Sequence, residues 1–123
     1  MSAKILIIDD SVTVVAQVQE ILGGSFSITS AVDGIEGLER LDAHPDTSLI
    51  ICDINMPRMT GLEFLEVRAS RPELKRIPVV ILSTDGQPDQ VQRARALGAN
   101  GWLVKPVRAD HLLAVAQKAT KAK

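Results

Sequence analysis

Aromatic side chains are nearly missing from this chain: one Trp, two Phe and no Tyr among 123 residues. A surface that stacks nucleobases needs several exposed rings, so such a platform is excluded. Cysteine occurs once, at Cys52, so no internal disulfide can form. A lone thiol inside the apolar run 49–52 fits a reduced interior, and no base lies beside it in sequence to activate it. Charge of one sign is missing too. Fourteen Lys and Arg stand against 15 Asp and Glu, a formal net charge of -1. That balance supplies no basic face for a nucleic-acid backbone or an anionic membrane. No apolar run approaches the ~20 residues that cross a bilayer, and the start "MSAKIL" has no signal-peptide pattern and reads as a native N-terminus. The expectation is a cytoplasmic protein that contacts neither membrane nor nucleic acid.

What is present is a core. Apolar residues make up 46% and charged residues 24%, an ordinary globular balance, and the length suits one domain spanning 1–123. "KILII" (4–8), "LIIC" (49–52), "VVIL" (79–82) and "GWLV" (101–104) are strand-length runs without polar alternation. Such runs are buried on both faces, as in a parallel sheet. "FSITSA" (26–31) alternates imperfectly and reads as an edge strand. Helical stripes lie between them: Val12, Val15, Val18, Ile21 and Leu22; Ile35, Leu38 and Leu41; Leu62, Leu65 and Ala69; Val91, Ala94 and Leu97; Leu112, Leu113, Val115 and Ala116. Gly23-Gly24, Pro72 and Gly98 stop three of these helices. Five strand–helix units in alternation predict an α/β fold, with a doubly wound parallel sheet and five helices.

The polar residues of interest fall where the strands end. The first strand runs into Asp9-Asp10, the third into Asp53, the fourth into Ser83-Thr84 and the fifth into Lys105-Pro106. Open α/β sheets bind ligands at that edge. Each residue has an ordinary reading: a helix cap at Asp9, Asp10 or Ser11, an Asx turn at Asp53, a turn at Ser83-Thr84, a solvated lysine at Lys105. Together they say more. Two adjacent acids exceed what one cap requires, and three carboxylates in one cleft repel unless a cation offsets them. Oxygen ligands without His or Cys suit a hard cation, and Mg²⁺ fits best because it takes few carboxylates and keeps its waters. A carboxylate, Mg²⁺, a hydroxyl and a lysine are the parts for handling a phosphoryl group, and Asp can itself be the nucleophile.

"ILIIDDS", "LIICDINMPRMTGLEFL", "PVVILST" and "GANGWLVKPV" resemble the receiver domain of two-component response regulators over nearly the whole chain. The separations agree: 43 residues from Asp10 to Asp53, 30 on to Ser83 and 22 on to Lys105. The resemblance implies a flavodoxin-like sheet of order 2-1-3-4-5, an order carried over from the chemotaxis member of the family and not read from spacing. It implies Asp53 as phosphoacceptor and Asp10, Asp53 and the Asn55 carbonyl as Mg²⁺ ligands. Asp9 would hold a metal-bound water. Ser83 and the Thr84 amide would face the phosphoryl group, and Lys105, before a cis bond to Pro106, would pair with one of its oxygens. Asn55 and Asp85 occupy positions that tune hydrolysis in the family.

The same resemblance implies a sensor histidine kinase or phosphotransfer protein as donor. It also implies a switch in which Ser83 moves toward the phosphate and Trp102 swings inward. A protein target would bind the face of the fourth predicted helix, fifth strand and fifth predicted helix, including Arg95, Asn100, Trp102 and Lys118. Trp102 reads equally well as a packing residue, and Arg93 and Arg95 as a solvated helix face. His44 and His111 read as surface residues. The chain ends after the last predicted helix, so the expectation is a stand-alone receiver without an effector domain, with a receiver cut from a larger regulator as the alternative. Two other classes use similar parts. An aspartyl-phosphate phosphatase would place its nucleophile after the first strand in a DxD pattern and carry a cap insertion; here the acids are adjacent and no insertion exists. A flavin-binding flavodoxin-like protein would want a phosphate-cradling loop where Asp9-Asp10 stand.

Overall fold

In the computed structural model every strand pairing is parallel, and the strand order is β2-β1-β3-β4-β5. The structure describes residues 3–84 and 86–121. The strands are β1 Lys4–Ile8, β2 Ser27–Ala31, β3 Thr47–Asp53, β4 Val79–Ser83 and β5 Gly101–Val104. The helices are α1 Val12–Leu22, α2 Gly34–Ala43, α3 Gly61–Ser70, α4 Pro72–Lys75, α5 Pro88–Ala96 and α6 Ala109–Lys121. The 2-1-3-4-5 order implied by the sequence is the observed one.

The absence of polar alternation has its cause in two apolar layers, one on each face of the sheet. Successive residues of a strand point to opposite faces. Leu6, Ile8, Ile50, Cys52 and Ile81 thus pack with Leu41, Phe64, Leu65 and Ala94 on one side. Ile5, Ile7, Leu49, Ile51, Val80 and Leu82 pack with Val18, Leu22, Leu112 and Ala116 on the other. All seven residues of β3 are buried, whereas β2 pairs with β1 alone and keeps its first residue exposed, as an edge strand does.

Two helical stripes differ from the sequence reading. Val12 opens α1 but is 84% exposed, because α1 turns its Val18 and Leu22 to the sheet. In α3 the buried face is Gly61, Phe64, Leu65 and Arg68; of the expected Leu62, Leu65 and Ala69, Leu65 is on it and Leu62 and Ala69 are half-buried at its margin. Arg68 is buried because its guanidinium donates to the carbonyls of Lys75 (3.0 Å) and Ile77 (2.8 Å from Nη2). Those bonds also explain the sixth helix. Pro72 ends α3 as expected, but it then stands at the start of the single turn α4, where a missing N–H costs nothing. Arg68 satisfies carbonyls at that turn's far end.

Caps fix where the strand-end loops finish. Ser11 Oγ accepts from the Val14 N–H at the start of α1. Asp33 Oδ1 accepts from Glu36 N–H at the start of α2. Thr60 and Glu63 form a reciprocal capping box at the start of α3.

Candidate functional site

Strand register assembles the site. Ile8 pairs with Cys52, so Asp9 comes level with Asp53. Asp53 pairs with Leu82, which puts Ser83 one step beyond on the next strand. Ser83 pairs with Val104, and Lys105 follows. The Lys105 N–H donates to the Ser83 carbonyl at 2.6 Å, tying the two strand ends together, and the Lys105–Pro106 bond is cis. Four strand ends thus deliver their polar residues to one edge, as the sequence reading expected.

Asp9 and Asp53 are buried, at 1% and 5% exposure, while Asp10 is exposed. One carboxylate oxygen from each of the three lies within 4.8 Å of the others. Lys105 Nζ sits 3.0 Å from Asp9 Oδ2 and 3.3 Å from Asp53 Oδ1. The remaining lone pairs are partly met by the loops. The Ser11 N–H donates to Asp9 Oδ1 at 2.9 Å, and the Ile54 N–H to Asp53 Oδ1 at 2.8 Å. The Asn55 N–H also bonds the Asp53 carboxylate. Ser83 is buried at the end of β4, and Thr84 and Asn55 are exposed beside it and beside Asp53 in their loops. Asp85, which sequence reading linked to hydrolysis, lies outside the described residues.

The electrostatics follow from that crowding. Burial raises the Asp53 carboxyl above its ordinary value; Asp9 adds to the rise, and Lys105 and the Asn55 amide oppose it. Burial pulls Lys105 down, but its contacts with Asp9 and Asp53 outweigh burial and leave it raised, so the ammonium stays charged. Burial pushes the Cys52 thiol far up, which removes it as a nucleophile.

The residues fit a hard divalent cation. The donors are all oxygens, and among the described residues Asp9 Oδ2 is the buried side-chain oxygen left without a directed hydrogen bond. Lys105 gives that oxygen charge at 3.0 Å, but a single ammonium cannot neutralise three carboxylates.

Trp102 is half-buried and packs against the cluster beneath α3 and α5. With Val91, Ala94, Arg95, Ala99, Asn100 and Gly101 it lines a cleft of about 60 Å³. Lys118 and Asn100 border a larger groove of about 430 Å³ between β5 and α6. The expected target face therefore corresponds to α5, β5 and α6. His111 is exposed, and His44 ends α2 with its carbonyl accepting from Thr47. Arg93 pairs with Glu66 of α3 at 3.1 Å.

Sequence reading missed the contacts of the loop after Asp53. Arg58 adopts φ 61°, and its Nε donates to the buried Asp33 carboxylate at 2.7 Å. Arg58 holds Asp33 below the usual carboxylate range, with the Glu36 amide helping and burial opposing. The "DG" before the α2 stripe was a legible cap signal for Asp33; nothing in the sequence marks Arg58.

A doubly wound parallel sheet of this order, with an acidic cluster and a lysine at its carboxyl edge, defines a flavodoxin-like α/β protein, a fold class whose ligands bind at that edge. The chain belongs to the response regulator receiver domain family, whose model matches residues 5–117, and is thus a receiver domain of two-component signal transduction. It is 42% identical over 105 residues to rice two-component response regulator ORR11, covering 85% of this chain and 71% of that one. It is 36% identical over 105 residues to chemotaxis protein CheY1 of Helicobacter pylori, covering 84% and 85%. Its fold superimposes on the crystal structure of Vibrio cholerae chemotaxis protein CheY4 with a TM-score of 0.89 at 35% identity, covering 97% and 99%. It also matches the Mn²⁺-bound form of response regulator Rcp1 with a TM-score of 0.80 at 31% identity, covering 94% and 90%. Among the described residues no helix is long and apolar enough to cross a membrane.

Proposed function

We propose that this chain is a phosphorylation-switched receiver in which Asp53 accepts a phosphoryl group from a phosphohistidine of a sensor histidine kinase or phosphotransfer protein. The observation that carries the reading is Asp53 itself: a carboxylate 5% exposed at the end of a fully buried strand, 3.3 Å from Lys105 and beside two further carboxylates. An oxygen of Asp53 forms the new bond to phosphorus as the imidazole N–P bond breaks, and the bonding pair leaves with the imidazole. Hydrolysis by water later returns inorganic phosphate and the free carboxylate, so the protein assists its own labelling and clearing without acting as a turnover enzyme.

Asp9, Asp10, Asp53 and the Asn55 carbonyl are the residues that would hold Mg²⁺. When bound, Mg²⁺ supplies positive charge for the carboxylates and the phosphoryl oxygens. That response regulator Rcp1, of the same fold, has a Mn²⁺-bound form supports a divalent ion as the ligand. Lys105 supplies a fixed charge to a phosphoryl oxygen, and Ser83 and the Thr84 amide supply hydrogen-bond donors to the others. Phosphorylation adds about −1.5 to −2 charge. Ser83 and Trp102 carry that change to the α5–β5–α6 face, where a protein target binds. The receiver domain spans 1–123 and works in the cytoplasm, without membrane or nucleic-acid contact.

The test is intact-mass measurement after incubation with Mg²⁺ and acetyl phosphate. One phosphoryl group should be gained by the wild type and none by Asp53→Asn. Full labelling of Asp53→Asn would end the assignment.

A further inference from the structure

The loop between β3 and α3 holds Asp53 through the Ile54 and Asn55 amides, and it is itself held at two places. At its base the Gly61 N–H donates to the Ile54 carbonyl at 3.0 Å. At its far point Arg58 and Met59 rest on the start of α2. Arg58 Nε lies 2.7 Å from Asp33 Oδ2, and a Cβ on Gly34 would fall 2.6 Å from Met59 Sδ. Arg58 is the non-glycine residue with positive φ among the described residues, a conformation that persists only where surrounding contacts hold it. The 2.7 Å bond to a carboxylate 2% exposed is such a contact. Asp33 is at once the N-cap of α2 and the anchor for the loop.

We propose that Asp33 and Arg58 are positioning residues: their ion pair sets the loop that presents the Ile54 and Asn55 amides, and the Asn55 carbonyl, to the acidic site, and so sets its affinity for a divalent cation. The inference rests on the proposed function. A surface ion pair with no such role would contribute to stability alone, and little of that.

The experiment is calorimetric titration of the full chain with MgCl₂, with melting temperatures in EDTA, for wild type, Asp33→Asn, Arg58→Ala and the double variant. Asn caps a helix as well as Asp does, so Asp33→Asn keeps the α2 cap and removes only the charge that meets Arg58. Each single variant should weaken Mg²⁺ binding about tenfold, the low end for loss of a partner beyond the direct ligands. The double variant should be no weaker than either, because the pair acts as one unit. The EDTA melting temperature of Asp33→Asn should stay close to wild type. In metal-free Arg58→Ala the Gly61 amide should exchange faster with deuterium. Wild-type affinity in Asp33→Asn, additive losses in the double variant, or a loss that only follows falling stability would each overturn the proposal. A wild type that itself binds no Mg²⁺ would instead refute the proposed function, so the two failures are distinguishable.

Discussion

Replacing Asp53 with Asn should stabilise the metal-free protein. Lys105 attracts Asp53 across 3.3 Å, worth about 5 kcal/mol at an effective dielectric of ~20. Asp9 repels it across no more than 4.8 Å, about 3.5 kcal/mol or more on the same scale. Asp10 is exposed, so water screens its share to about 1 kcal/mol. The Coulomb contributions nearly cancel, and the desolvation of a carboxylate 5% exposed decides the sign. Burial is indeed the leading cause of the raised Asp53 carboxyl. Asn keeps the shape, and Lys105 keeps Asp9 at 3.0 Å, so no lysine charge is stranded. An amide still pays for burial, which leaves a gain of roughly 2 kcal/mol. For a chain of this length that is a rise of about 8 °C in melting temperature. Because the folded carboxyl is raised, the wild-type penalty is complete above the folded value and disappears as pH falls toward 3.8. The gap between variant and wild type should therefore narrow in acid. Calorimetric melting in EDTA at neutral and acid pH reads both effects. A variant that melts at or below the wild type at neutral pH would refute the crowding argument. Added Mg²⁺ should raise the wild type more than the variant and shrink or reverse the order.

Lys105→Met should lower stability in EDTA by about 3 kcal/mol, measured by urea unfolding at neutral pH, because it strands two buried carboxylates. Gly61→Ala should cost about 3 kcal/mol by the same assay. Its Cβ would overlap the Asp53 carbonyl oxygen and lie 2.8 Å from Ile54 Cα, so backbone rather than a side chain must move. Arg58→Ala tests the opposite pH sign. The Asp33 carboxyl is lowered from 3.8, chiefly by its bond to Arg58, so its contribution is present above that pH and lost as pH falls through the folded value. Thermal melts should show a deficit for Arg58→Ala at neutral pH that closes at the acid end; a constant deficit would count against the pairing.

The sheet was legible because burial on both faces removes the polar alternation of its central strands, and β1, β3, β4 and β5 lie where their apolar runs do. The acidic site was legible for a related reason: Asp9, Asp10 and Asp53 interrupt those runs abruptly, and parallel strands bring such interruptions to one edge. The exceptions are tertiary. The turn α4 depends on Arg68, which sequence reading would leave in solvent and which the fold buries against two carbonyls. Val12 fits the α1 stripe in spacing yet lies at the helix start, beyond the reach of the sheet. Asp33 and Arg58 are 25 residues apart, and neither announces the other. The resemblance supplied roles; it did not supply the loop's anchor, which is formed from this chain's own side chains.

The central claim is that Asp53, among three neighbouring carboxylates, is the one that takes the phosphoryl group. Borohydride reduces an acyl phosphate to an alcohol, and so would turn a phosphorylated aspartate into homoserine. Treating the Mg²⁺- and acetyl-phosphate-labelled protein in this way, followed by peptide sequencing in the mass spectrometer, reads the position directly. Homoserine is expected at position 53 alone. Homoserine at position 9 or 10, or none after stoichiometric labelling, would contradict it.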